Sequence, residues 1–148
     1  MRMLATRRSA GVAACLVAVL IALSGCRTAT SDKNLVTIEY DRFRELVDLG
    51  PEHGVVILDV RPRSAYQQGH IPGALNIPMP EITRRDPRLS EASVIVVYGP
   101  GLESPLAPAA AKKLIALGYA DVLEFRRGLE RWRDRGGEIV ESTSEASP

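Results

Sequence analysis

Val94-Ile-Val-Val-Tyr-Gly-Pro-Gly-Leu-Glu-Ser-Pro105 runs from an unbroken apolar stretch into a loop of glycine and proline, and Leu106-Ala-Pro-Ala-Ala-Ala-Lys-Lys-Leu-Ile-Ala-Leu117 follows with helical composition. An apolar run without alternation suits a strand covered on both faces, as in a parallel sheet. Strand, glycine-bearing loop and helix, in that order, form the unit at whose strand end α/β proteins hold their ligands. The functional question therefore falls on the loop from Gly99 to Ser104.

Outward from that unit, strand and helix signals alternate. Val36-Thr-Ile38 reads as a short strand, and Asp41 as the cap of a helix through Leu49 with Phe43, Leu46 and Val47 on one face. Val55-Val-Ile-Leu-Asp59 is a second buried strand, followed by a short helix at Ser64–Gln68 and a strand at Ala74-Leu-Asn76. A strand at Val122-Leu-Glu124 and a helix around Leu129–Arg133 close the series. The order predicts an α/β fold with a mainly parallel sheet flanked by helices. With 148 residues and no internal repeat, the chain has room for one core of common size, placed over residues 35–140.

Three stretches together resemble one family. Asp59-Val-Arg61, then Gly69-His-Ile-Pro-Gly-Ala-Leu-Asn-Ile-Pro78, and finally Gly118-Tyr-Ala-Asp-Val122 ahead of Gly128-Leu-Glu-Arg-Trp132 and Gly136 are similar to the signature of rhodanese-like domains. The resemblance spans nearly the whole folded region in the right order. It implies a compact three-layer domain with a sheet of about five strands, and it makes the loop after Tyr98 the counterpart of the family's active-site loop. In active members that loop carries a cysteine which accepts a sulfur atom, the persulfide being held by backbone N–H groups and the positive end of the next helix.

On that alignment Gly99 stands at the cysteine position, and a longer loop register places Ser104 there instead. Neither offers a thiol. Pro100, Pro105 and Pro108 each lack an N–H, Leu106 stands about where many members have an arginine, and Glu103 adds negative charge. The segment Gly99, Pro100, Gly101, Leu102, Glu103, Ser104 is thus expected to be a degenerate active-site loop without catalytic residues. A serine needs a base within reach to act as a nucleophile. Only His53 and His70 are present, so Ser104 is read as a helix cap ahead of Pro105.

Other candidates are weaker. Two histidines without a thiol do not make a tetrahedral zinc site, and no carboxylate spacing matches a calcium loop. The stretch Gly-Pro-Gly-Leu-Glu-Ser lacks the Lys of a phosphate-binding loop and the third Gly of a dinucleotide fingerprint. No cofactor is expected. Asp59 and Arg61 are read as fixing the loop after their strand, with contact to the pocket mouth as the alternative, and Trp132 with Leu129 as core. Arg127 takes the place of the first of two family glycines, which lies beside the active-site loop, so it is expected at the pocket mouth near Glu103. Arg126, Arg131, Arg133 and Arg135, interleaved with acids, read as a solvated face.

The N-terminus has its own signature. Met1–Ala10 carries Arg2, Arg7 and Arg8 with no acid, and Gly11–Leu23 is an apolar run of 13 residues, too short to span a bilayer. Leu23-Ser-Gly-Cys26 resembles the lipobox of bacterial lipoproteins, so residues 1–25 are expected to be a signal peptide and Cys26 the lipidated first residue of the mature chain. Arg7-Arg8 also forms a twin-arginine pair, without the apolar residues that usually follow it closely. Residues 26–34 then form a tether and residues 141–148 a polar tail. Cleavage would remove Cys15 and change the net charge from +1 to −2, which offers nucleic acid no global attraction.

The sequence therefore points to a membrane-anchored, envelope-facing domain that binds an unnamed envelope partner or serves a structural role. The competing reading is an enzyme, either a sulfurtransferase borrowing a partner's thiol or a hydrolase using Ser104.

Overall fold

The strand that precedes the loop is the centre of the molecule. In the computed structural model, which describes residues 35–142, five strands form one sheet in the order β1-β5-β4-β2-β3. These are β1 (Val36–Thr37), β2 (Val55–Asp59), β3 (Leu75–Asn76), β4 (Val94–Tyr98) and β5 (Val122–Phe125). Every pairing is parallel, with Val55–Asp59 in register against Val94–Tyr98 and Ile95–Tyr98 against Val122–Phe125. The unalternated apolar runs have this cause: both faces of β2 and β4 are covered.

Helices α1 (Tyr40–Leu49), α2 (Arg63–Gln67), α3 (Leu106–Ala116) and α4 (Gly128–Asp134) supply the cover. On one face, Phe43 and Leu46 of α1 and Leu129 and Trp132 of α4 pack on Val55, Ile57, Val96, Tyr98 and Phe125. Phe43 lies flat on Phe125 at 4.0 Å between ring centroids and meets Trp132 edge-on at 5.7 Å. On the other face Ala107, Ala110, Ala111 and Leu114 of α3 pack on Leu58, Val60, Ile95, Val97 and Val122. Small alanines bring α3 close to the sheet. Among the described residues no helix is long and apolar enough to cross a membrane.

The α/β reading with a mainly parallel five-stranded sheet is what the structure has. Two local expectations change. Helix α1 starts at Tyr40 rather than after Asp41; Glu39 holds the cap position, without a side-chain bond, and Asp41 lies in the first turn. Tyr40 packs at 6.0 Å from Trp132 with Arg135 over its ring, so tertiary contacts extend the helix by a turn residue. The tail also begins later than Glu141. His70 and Val140 form an antiparallel bridge, which carries Ser142 to within 3.1 Å of the Gln67 carbonyl, to which its N–H donates. The expected signal peptide (1–25), Cys26, the tether to residue 34 and the tail from residue 143 lie outside the described residues.

Candidate active-site loop

Topology puts the loop where a crevice forms. Strands β2 and β4 are neighbours, but β4 leads into α3 on one face while β2 leads into α2, whose Tyr66 packs on the other. Connections leaving adjacent strands to opposite faces open a gap at the strands' carboxyl ends. Residues 59–61 and 99–104 border that gap from the two strand ends.

On the β2 side, side chains bond one another. Asp59 is fully buried, and its carboxylate accepts from the Arg61 backbone N–H at 2.9 Å, from Nε at 3.0 and 3.1 Å, and from Nη2 at 2.6 Å. The same Nη2 donates to the Gly69 carbonyl at 2.7 Å. Burial disfavours the Arg61 charge, yet the hydrogen bonds and charge of Asp59 more than offset it and its pKa stands above the usual value. Tyr98 faces Asp59 in register. Burial first, and then the Asp59 charge, push its hydroxyl far above the ordinary tyrosine value, so it stays protonated. It accepts the Ile71 N–H at 3.3 Å. Asn76 donates from Nδ2 to the carbonyls of Asp59 and Arg61, each at 3.0 Å. Strand ends β2, β3 and β4 and the Gly69–Ile71 turn are thereby fastened together.

On the β4 side, backbone does the same task. The N–H groups of Leu129 and Glu130, in the first turn of α4, donate to the carbonyls of Gly99 and Pro100 at 3.0 and 2.9 Å. Helix starts carry unpaired N–H groups, and here the loop itself takes two of them. The approach is close because residue 128 is glycine: its φ is +57°, and a Cβ there would collide with the Gly99 carbonyl and lie 2.9 Å from the Gly101 nitrogen. Gly101 is likewise pressed by Glu130, whose side chain occupies the space a Cβ would need. Gly99 differs. A Cβ added there would meet the Ala107 nitrogen at 3.4 Å and the Cβ atoms of Ala107 and Leu106 at 3.6 Å, which is ordinary contact at the start of α3.

Ser104 sits at the loop's exit. Its Oγ accepts the Leu106 N–H at 3.3 Å. Pro105 already has helical dihedrals (φ −77°, ψ −1°) and its carbonyl accepts from Ala109 at 3.0 Å, so Ser104 stands one residue ahead of the first turn. Neither histidine is its base. His53 Nδ1 donates to Leu49 O and His70 Nδ1 to Tyr66 O, both at 2.9 Å, and the His70 ring stacks on Tyr66 at 3.6 Å. Among the described residues no set of His, Cys, Asp and Glu gathers as a metal site.

An open depression of about 650 Å³ lies over the loop, lined by Pro100, Gly101, Glu103 and Ser104 and by Glu130, Arg133 and Asp134 of α4. A smaller one of about 300 Å³ continues it past Leu102, Arg127 and Arg131. Asp59 and Arg61 line neither; they are buried beneath and satisfied internally. Arg127 does share the smaller depression with Glu103, but its ion pair is with Glu39 at 3.8 Å. Leu102 projects, 42% exposed. Arg126, Arg133 and Arg135 are exposed, whereas Arg131 is half-buried with its Nε unpartnered. Sequence reasoning missed three contributors. Tyr98 read only as the end of a buried strand, Glu130 as surface, and Gly128 as part of the family signature without the contact it permits.

The rhodanese-like domain family matches residues 40–135. The chain belongs to that family. Its relatives include the thiosulfate sulfurtransferase GlpE of Pseudomonas syringae, 31% identical over 84 residues that make up 55% of this chain and 76% of that protein. An HTH-type transcriptional regulator of Mycobacterium tuberculosis, Rv0324, is 39% identical over 82 residues, 55% of this chain, and the chain spans only 36% of that protein's length. Among solved structures, the BH2092 protein of Bacillus halodurans superposes with a TM-score of 0.66 at 33% identity, covering 74% of this chain and 80% of the other. The family accounts for the fold.

Proposed function

We propose that this rhodanese-like domain carries no catalytic thiol and acts as a binding or structural module, held at the face of a bacterial envelope membrane by lipid on Cys26. The observation that carries the reading is the loop after β4. Both cysteines of the chain, Cys15 and Cys26, precede the matched residues 40–135. At the head of the loop, where the resemblance puts the sulfur acceptor of an active member, stands Gly99, although a Cβ there would make only ordinary contacts. A thiolate is the reactive species in such chemistry, and no other side chain of the loop replaces it.

Ser104 gives little support to a hydrolase, because its hydroxyl is engaged by the Leu106 N–H and no base orients it. Thiosulfate:cyanide sulfurtransferase activity of the purified protein is expected at background level. Robust turnover overturns the non-catalytic reading, and labelling of Ser104 by a fluorophosphonate probe replaces it with the hydrolase. The anchor is tested apart from this. Mass spectrometry of the membrane fraction should find an acylated Cys26 at the mature N-terminus, and Cys26→Ala should release the protein or leave its precursor uncleaved.

A further inference from the structure

We draw no further inference here: the strongest candidate, the open depression between the Gly99–Ser104 loop and α4, sets the carboxylates of Glu103, Glu130 and Asp134 beside the guanidinium groups of Arg127, Arg131 and Arg133, so its charge selects no one partner and nothing in the structure shows what covers it.

Discussion

Two loops leave neighbouring strands at one end of the sheet and are fastened by opposite means. After β2 the work falls to side chains: the Asp59 carboxylate, the Arg61 guanidinium, the Tyr98 hydroxyl and the Asn76 amide. After β4 it falls to backbone, with α4 N–H groups on the Gly99 and Pro100 carbonyls and a glycine at 128 that allows the contact. The difference bears on what each loop tolerates. A segment held by side chains loses its anchor when those side chains change. A segment held through its carbonyls keeps its path while its side chains vary, so proline, leucine and glutamate can enter the Gly99–Ser104 loop without loss of the fold.

Removing the carboxylate after β2 is expected to have the largest effect. Asp59→Ala leaves the Arg61 charge buried without its counter-ion, at a cost of about 3–5 kcal/mol in urea unfolding. Glu103→Ala in the other loop should stay within about 0.5 kcal/mol, since that side chain is exposed. Asp59→Leu combined with Arg61→Met should cost less than Asp59→Ala alone, because no charge is then stranded. Equal losses for Asp59→Ala and Glu103→Ala would erase the distinction between the two loops.

Backbone dependence of the second loop is tested at its glycines. Gly128→Ala forces a side chain into left-handed φ and against the Gly99 carbonyl, and should destabilise by about 2–4 kcal/mol. Gly99 lies outside the positive-φ set and has room for a Cβ, so Gly99→Ala should change stability by no more than about 1 kcal/mol. Hydrogen exchange at the Leu129 and Glu130 amides should rise in the first variant and not in the second. Were both glycines equally tolerant, the close approach of α4 would not be what holds the loop.

These contacts mark the limit of what the sequence discloses. Strands β2 and β4 are legible because burial on both faces writes an unbroken apolar run. Short 3₁₀ turns at Pro51–His53, Met79–Glu81 and Pro87–Leu89 are not, since each needs only a proline and two backbone bonds. The start of α1 is misplaced because an aromatic contact with Trp132, distant in sequence, decides it. The motif Asp59-Val-Arg61 announces a structural pair, but its third partner, Tyr98, is defined only by strand register. Arg127 shows the same limit, for its ion-pair partner Glu39 precedes α1 and no local pattern connects the two.

Ser104 offers an intermediate effect. The expected cap position of α3 is held by Pro105, without a side-chain bond, and Ser104 precedes it; its Oγ still takes the Leu106 N–H, so Ser104→Ala should cost about 0.5–2 kcal/mol, towards the lower end because that bond is long, while Ser104→Asp should keep most of the stability. Denaturant melts of the two variants check this. A stability unchanged by alanine would remove that bond's contribution and leave the loop held by backbone alone.

The smallest effect is expected where the β2 pattern recurs with its arginine partly open to water. Asp86-Pro-Arg88 repeats the fork of Asp59-Val-Arg61: the Arg88 backbone N–H and Nε reach Asp86 Oδ1 at 3.0 and 2.9 Å, and Nη2 reaches Oδ2 at 2.6 Å. The geometry is nearly the same, but the Arg88 side chain is 39% exposed where that of Arg61 is 7%. Solvent reaches the guanidinium, so Asp86→Ala strands no buried charge; it removes the carboxylate's bond to the Arg88 N–H at the start of the 3₁₀ turn and the ion pair, and should cost about 0.5–1 kcal/mol, well below Asp59→Ala. Hydrogen bonds from Arg88 hold the Asp86 carboxyl below the usual aspartate value. A lowered folded pKa means stability present in full above the unfolded value, about 3.9, and lost as pH falls through the folded one. Wild type and Asp86→Ala should therefore differ at pH 7 and converge in acid. A difference as large as that of Asp59→Ala would show that fork geometry, and not burial, sets the energy of both.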